Sequence, residues 1–418
     1  MLCRFCQTPL TNLFIDLGTN PPSNAYLNEN DLSAPELWFP LKLYVCDHCF
    51  LVQIDEYQKA EAIFNDSYAY FSSFSSSWLN HCRSYTEMMI DRFALNSSSK
   101  VMEIASNDGY LLQFFKERGL PVLGIEPTRS TARAAMDKGI ETIIDFFGME
   151  LAHRLVSEGY RADLILGNNV LAHVPHLNDF IKGLKAILDA EGIMTFEFPH
   201  LLNLVEENQF DTIYHEHFSY FSLTTVDTIF SAHGFRIFDV ERIPTHGGSL
   251  RLFLCHSENF RYGSSSRVMD LLQLEDRKGF RSAVYYRSFA SKIFRVKYDF
   301  LTFLLENVHQ GRKICGYGAA AKGNTLLNYA GVKPDLLPFV ADKSPHKQGK
   351  FLPGSRIPIV RPDTIRDFKP DYVLILPWNI QEEIMEELSY IREWGGGFVI
   401  AIPQLQLFAN SDALRFQG

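Results

Sequence analysis

No run of apolar residues in this 418-residue chain approaches the ~18 needed to cross a bilayer. Its first residues, Met1-Leu-Cys-Arg-Phe-Cys6, lack the charged-then-apolar layout of a secretory leader. An excess of positive charge is missing too. Forty Lys and Arg against 49 Asp and Glu leave a formal net charge of −9, which excludes a general binder of nucleic acid or of a membrane surface. Low complexity is confined to short serine-rich pieces, and no internal repeat is visible in the sequence. The remaining composition, 46% hydrophobic and 21% charged, is that of a soluble globular protein with length for two or three domains. A cytoplasmic location is expected. Nothing fixes an oligomeric state, and a monomer fits.

The seven cysteines then need a role in a reducing compartment rather than a disulfide framework. Four fall into two Cys-x-x-Cys pairs, Cys3/Cys6 and Cys46/Cys49. Two such knuckles make the tetrahedral four-sulfur site that Zn²⁺ favours, although the intervening loop is longer than usual. A redox pair would sit beside a βαβ pattern, which this segment lacks. Four thiolates leave no open coordination position, so the expected zinc is structural. His48 is a lesser candidate to replace one ligand. Cys82, Cys255 and Cys315 are isolated, and burial as small hydrophobes is expected of each.

Residues 1–58 read as this zinc module, rich in turns such as Asn20-Pro-Pro-Ser, with a short strand at 41–45. A polar aromatic stretch from Tyr68 to Trp78 leads into a helix that ends near Phe93, before Asn96-Ser-Ser-Ser99. From Lys100 short apolar strands alternate with amphipathic helices. The expected strands are 101–104, 122–125, 164–166 and 193–198. That alternation implies a doubly wound parallel sheet over 59–255. Residues 256–307 look like a helical connector. A second α/β unit follows over 308–418, opening with Lys313-Ile-Cys-Gly-Tyr-Gly318 and with further strands at 337–340, 372–376 and 398–402.

The first turn, Glu103-Ile-Ala-Ser-Asn-Asp-Gly109, has one glycine where dinucleotide-binding turns have three. A turn without close pyrophosphate approach suits S-adenosylmethionine better than a nicotinamide cofactor. Glu126, 23 residues after Glu103, ends the next strand, where a carboxylate accepts hydrogen bonds from ribose hydroxyls. Asp145-Phe146 follows at the third strand end, a polar group beside an aromatic for adenine, and Asn168 ends the fourth. The expected cofactor contacts are therefore Tyr68, Glu103, Ala105, Gly109, Glu126, Asp145, Phe146 and Asn168. In the second unit Gly316 and Gly318 open a turn, with Lys322 and Asn324 on the helix after it. Amides at a helix N-terminus plus a lysine suit the phosphate of a nucleotide-linked ligand, although Gly-x-Gly can also mark simple close packing.

Tyr214-His215-Glu216-His217 packs proton-moving groups side by side, which suggests deprotonation chemistry beside the cofactor. Together with the cysteine knuckles, Asn-Val-Leu-Ala-His173, Phe-Glu-Phe-Pro199, His246-Gly-Gly248 and Gly-Tyr-Gly-Ala-Ala-Ala-Lys322, this order of motifs resembles the sugar C-methyltransferases that act on nucleotide-linked keto-deoxysugars. The resemblance spans nearly the whole chain. It implies zinc in the first module, S-adenosylmethionine in the middle domain and the sugar nucleotide in the last. By position it implies His217 as the base, with Tyr214, Glu216 and His173 around the reacting sugar. It also implies His246, Gly247 and Gly248 near the substrate, and Lys322 with its glycine turn on the nucleotide portion. Glu197 and Arg251 are further substrate candidates. The first is alternatively a strand-end cap, the second a salt bridge. His215 is expected to be structural.

Carbon methylation needs a carbanion equivalent, and a 4-keto group makes the enolate reachable by removal of the C3 proton. Methyl transfer to another ketone or a heteroatom is the nearer alternative. A non-catalytic nucleotide-sugar or S-adenosylmethionine binder is the more distant one, and it would have no use for Tyr-x-Glu-His.

Overall fold

The computed structural model describes residues 1–64 and 71–408, which form two compact units. One unit gathers Met1–Asn12, Val45–Leu201 and His217–Ala283. The other gathers Leu13–Tyr44, Leu202–Glu216 and the described chain from Val284 onward. The chain therefore leaves one unit and re-enters the other between Glu216 and His217, inside the Tyr-His-Glu-His motif. Tyr68 lies outside the described residues.

Strands β1 (Asn12–Asn20) and β2 (Phe39–Val45) precede the short β3 (Val52–Ile54). A parallel series follows in the first unit: β4 (Val101–Ile104), β5 (Val122–Ile125), β6 (Thr142–Ile143), β7 (Ala162–Asn168) and β8 (Leu188–Pro199). After it come β9 (Ser219–Tyr220), which pairs with β3, and the hairpin β10 (Phe235–Ile243) and β11 (Ser249–His256). The seven-stranded sheet has the order β10-β11-β8-β7-β4-β5-β6, with β11 antiparallel to both neighbours. Strands β4 and β7 are mostly apolar and buried along nearly their whole length, as parallel strands covered on both faces must be. The sheet grows one way from β4 through β6 and then restarts on the other side at β7. That reversal opens a crevice at the carboxyl ends of β4 and β7.

The helix Ser76–Phe93 is started by Ser75, whose hydroxyl accepts the Trp78 N–H at 3.3 Å, and ends at Ala94 in the left-handed conformation. Its Cys82, Tyr85 and Met89, at helical spacing, enter the core with Phe115, Leu164, Phe253 and Cys255. Each such large apolar side chain contributes about 1.5–3 kcal/mol on burial. The three isolated thiols are all buried, as expected. Of the expected connector, the helix Ser266–Lys278 belongs to the first unit and Phe289–His309 to the second. The buried Glu275 ties the former down. It accepts the amides of Leu223 (2.8 Å) and Thr224 (2.7 Å), which the helix Leu223–Ala232 leaves unbonded, and lies 2.6 Å from His200 Nε2.

The second unit carries β12 (Ile314–Tyr317), β13 (Val340–Ala341), β14 (Ile359–Val360), β15 (Tyr372–Ile375), β16 (Gly397–Ile400) and β17 (Gln406–Phe408). Their order is β14-β13-β12-β15-β16-β17, parallel except for the last. β13 begins later than the sequence suggests because Pro338 has no N–H for the ladder. Among the described residues no helix is long and apolar enough to cross a membrane.

The cysteine pairs form two matching knuckles. Gln7 N donates to Cys3 O and Phe50 N to Cys46 O, each at 3.0 Å, and both closing residues are left-handed (φ 62° and 59°). The four sulfurs lie within 4.8 Å of one another, with Cys3–Cys49 and Cys6–Cys46 at 3.5 Å. A tetrahedron with Zn–S bonds of about 2.3 Å sets its sulfurs roughly 3.8 Å apart, so the donor set fits zinc. The Gln53 amide nitrogen reaches Cys3 Sγ at 3.3 Å and its oxygen accepts the Arg4 N–H at 2.9 Å, holding one knuckle in register. Purified protein is expected to carry about one zinc per chain by elemental analysis. Cys46→Ser should lose it, with a lowered melting temperature and rapid proteolysis before residue 60.

Candidate functional site

At the carboxyl end of β4 the chain turns through three left-handed residues, Ala105, Asn107 and Gly109 (φ 56°, 49° and 73°). Of the three, Gly109 is where glycine fits best, because a Cβ there would press on Ile140 Cδ1 and Ala135 Cβ in a left-handed conformation. The turn is held from the end of β5. Glu126 accepts the Asn107 N–H on one carboxylate oxygen and the Thr128 N–H on the other, each at 2.9 Å. Burial raises the Glu126 pKa against these amide bonds. Each of its oxygens keeps a second lone pair.

Two more groups converge on the same crevice. Glu103, fully buried near the end of β4, has no hydrogen bond of good geometry to either carboxylate oxygen, with Tyr110 among its polar neighbours. Burial raises its pKa well above the usual range. Asn168, at the end of β7, has neither amide atom bonded. Buried polar groups are seldom left so. A buried acid and an unbonded amide flanking a strand-end carboxylate fit a polar nucleoside-bearing ligand such as S-adenosylmethionine. Asp145 is half-exposed and pairs with Arg154 at 3.2 Å, and Phe146 exposes its ring next to it.

The loop after β7 carries His173, and His217 stands just before β9. His173 ends a short turn, Leu171–His173, and its ring centroid lies 4.8 Å from that of His217 at 62°. The Phe218 amide donates to Ala172 O at 2.7 Å, which ties the His217 segment to that loop. Phe64 packs edge-on to His173 at 5.5 Å, and Tyr220 lies 6.0 Å from His217. Asn169, left-handed at φ 55°, donates its amide to His246 Nε2 at 2.9 Å, leaving that imidazole as acceptor. His246, Gly247 and Gly248 all have positive φ, so this segment is a tight turn that presents the imidazole. Trp78 links it onward, 5.2 Å from the His246 ring and stacked on His81 at 4.9 Å.

Glu197 and Arg251 satisfy each other. Arg251 Nε donates to Glu197 at 2.6 Å and Nη1 to Glu241 at 2.9 Å, and His81 Nε2 reaches Glu197 at 3.0 Å. Burial alone would raise the Glu197 pKa, but the His81 hydrogen bond and the Arg251 charge outweigh it and hold it below the usual range. Arg251 is only 7% exposed, so it is neither a surface bridge nor an uncommitted cation for phosphate. Sequence reading missed Trp78 and His81, which carry no local motif.

In the second unit Glu216 is buried and takes both hydrogen bonds of the Asn24 amide nitrogen, at 2.7 and 2.9 Å. Burial pushes it up to about 7 against those bonds. His215 is buried with Nε2 3.2 Å from Pro40 O, and burial lowers its pKa, a structural placement. Tyr214 is half-buried. The glycine turn after β12 differs from expectation. Its amides are already committed, Gly318 to Ala341 O, Ala319 to the Asp342 carboxylate and Ala320 to Gly318 O, at 2.7–2.8 Å. Gly316 and Gly318 answer to packing, since a Cβ would press on Val340 and Pro377. Lys322 bonds Asn379 at 2.7 Å and lies 4.6 Å from the Trp378 ring centre, while Trp378 Nε1 donates to Asp211 at 2.8 Å. Burial pushes Asp211 up to about 6, with Lys322 opposing, and lowers Lys322. Asn324 is buried with neither amide atom bonded, and one Asp211 oxygen is also unbonded.

Among solved structures, magnesium protoporphyrin IX methyltransferase from Synechocystis PCC 6803 with bound SAM overlaps 43% of this chain and 79% of its own, at 16% identity and a TM-score of 0.33. The CcbJ methyltransferase from Streptomyces caelestis overlaps 42% and 90%, at 10% identity and a TM-score of 0.33. Three family models match along the sequence. They are a zinc binding domain over 3–64, a methyltransferase domain over 81–240 and a C-methyltransferase C-terminal domain over 244–403. C-methyltransferase NovU of Streptomyces niveus is 34% identical over 412 residues, 99% of this chain and 98% of that one. The chain belongs to this C-methyltransferase family and is an S-adenosylmethionine-dependent enzyme with a zinc-binding N-terminal module.

Proposed function

We propose that this enzyme removes the C3 proton of a nucleotide-linked 4-keto-deoxysugar and methylates the resulting enolate carbon, in branched deoxysugar biosynthesis in the cytoplasm. The observation that carries the reading is the His173–His217 pair, ring to ring at 4.8 Å, with His173 on the loop that follows β7 and His217 just before β9. A binding protein has no need of two imidazoles there. His217 takes the proton, since imidazole titrates near working pH. His173 donates toward the enolate oxygen as negative charge develops on it. Tyr214 and Glu216, contiguous with His217 in sequence, serve the same reaction as hydrogen-bond donor and orienting carboxylate.

S-adenosylmethionine supplies, when bound, an electrophilic methyl group. Glu126, Glu103 and Asn168 would hold the cofactor's polar groups, with the turn Ala105–Gly109, Asp145 and Phe146 as its further contacts. His246, presented by Gly247 and Gly248, contacts the sugar, and Glu197 with Arg251 keeps that wall rigid. The nucleotide portion belongs to Lys322 and Asn324 rather than to the amides of the Gly316–Gly318 turn. We assign the modules as 1–58 for zinc, 59–255 for the cofactor, 256–307 as connector and 308–418 for the nucleotide-linked substrate.

Two outcomes are expected. His217→Ala should lower kcat by roughly 10²–10⁴-fold while calorimetry shows unchanged cofactor affinity, since the loss is of general base catalysis alone. Glu126→Gln should weaken cofactor binding about 10- to 100-fold, the value of hydrogen bonds to a charged group, with kcat at saturation near that of the wild type. If His217→Ala retains its kcat, the proton goes elsewhere.

A further inference from the structure

The two α/β units share one wiring at the corner between their first and second strands. Ser106 N donates to Ile125 O at 3.1 Å, and Gly318 N to Ala341 O at 2.7 Å. The next amide goes to a carboxylate, Asn107 N to Glu126 at 2.9 Å and Ala319 N to Asp342 at 2.7 Å. The other oxygen of that carboxylate accepts the amide two residues on, Thr128 at 2.9 Å and Ser344 at 2.8 Å. The acid's own amide bonds the third strand, at Ile143 O and Val360 O, each at 3.0 Å.

What fills the corners differs. The position of Glu103, three before Ser106, is taken in the second unit by Cys315, three before Gly318, a buried thiol that asks for no polar ligand. The second corner is also occupied by the chain itself. Lys347 Nζ donates to Ala319 O at 2.8 Å and lies 3.7 Å from Asp342, and the Tyr26 hydroxyl donates to the same carbonyl at 2.7 Å. From Tyr26 the contacts lead back to the motif. Its hydroxyl is 3.2 Å from Asn24 Oδ1, and Asn24 Nδ2 meets both oxygens of Glu216. A carboxylate only accepts, so it fixes which end of the Asn24 amide faces it. Glu216, Lys347 and Asp342 all act on the Tyr26 phenol.

We propose that Asn24 is the positioning residue of Glu216, and that the second glycine corner is closed by Lys347 and Tyr26 to anchor Asn24 instead of being kept open for a nucleotide. The proposal rests on the reading of Glu216 as a participant in the reaction. Removing the Asn24 donors should leave Glu216 protonated at higher pH and its carboxylate free to turn.

The test follows the Glu216 carboxyl signal by ¹³C NMR in the full chain labelled at glutamate Cδ, assigned by its absence in Glu216→Gln. Asn24→Ala should move the titration midpoint to higher pH, to a proton concentration at least tenfold lower, and the isosteric Asn24→Asp further still, since it replaces a donor with a second carboxyl. Tyr26→Phe and Lys347→Met should move it in the same direction by less. Methyl transfer to a dTDP-linked 4-keto-6-deoxysugar at pH 7 should fall in the same order and recover toward pH 9 in Asn24→Ala. A midpoint unchanged in both Asn24 variants overturns the proposal. So does a midpoint unmoved by both Tyr26→Phe and Lys347→Met, which removes the anchoring corner. If the midpoint moves but Glu216→Gln transfers methyl groups as well as the wild type, the assignment of Glu216 to the reaction fails while its contact with Asn24 stands.

Discussion

One carboxylate holds the cofactor end of the first unit together. Glu126, buried at the end of β5, spends one lone pair on the Asn107 amide and another on the Thr128 amide. Those bonds clamp a turn in which two of the three left-handed residues, Ala105 and Asn107, have side chains. A glycine-rich turn would relax without such a clamp, and a turn with one glycine needs it. Burial of the acid is the cost, and the amide bonds offset it only in part, since its pKa is still raised. With the buried Glu103 carboxyl and the unbonded Asn168 amide beside it, the crevice is a place where a polar ligand completes hydrogen bonding the protein leaves open.

The second unit repeats the clamp with Asp342 and reaches a different end. There the carbonyl and acid of the corner receive Lys347 and Tyr26, while Asn324 and the Asp211 oxygen left over beside Trp378 are among the buried polar groups of the unit that remain unbonded. The same backbone wiring borders a polar crevice in one unit and meets Lys347 and Tyr26 in the other. The chain changes unit between Glu216 and His217, so a four-residue motif contributes side chains to both units.

Much of this was legible in the sequence, and the boundary is physical. Parallel strands buried on both faces read as short apolar runs, so β4, β5, β15 and β16 were placed closely, and Cys-x-x-Cys pairs announce their knuckles. Glu126 could be found because its distance from Glu103 is set by one helix and one strand. Arg251 could not be placed, since its partner Glu197 is 54 residues away, and Asn24 is 192 residues from Glu216. The commitment of the Gly318 and Ala319 amides is likewise invisible, because Gly-Tyr-Gly reads alike whether its N–H groups await a phosphate or meet Asp342. The repeat of the two corners lies in backbone hydrogen bonds and strand order, which unrelated side chains can support, so no sequence repeat accompanies it.

The central claim is that this chain makes a carbanion equivalent at a sugar carbon before any methyl group moves. It is tested most directly by incubating a C3-deuterated nucleotide-linked 4-keto-deoxysugar with the enzyme and S-adenosylhomocysteine in ordinary water, and following the substrate by mass spectrometry. Deuterium is expected to wash out with the wild-type enzyme and to be retained with His217→Ala. Retention with the wild type, or equal loss with both proteins, would contradict it.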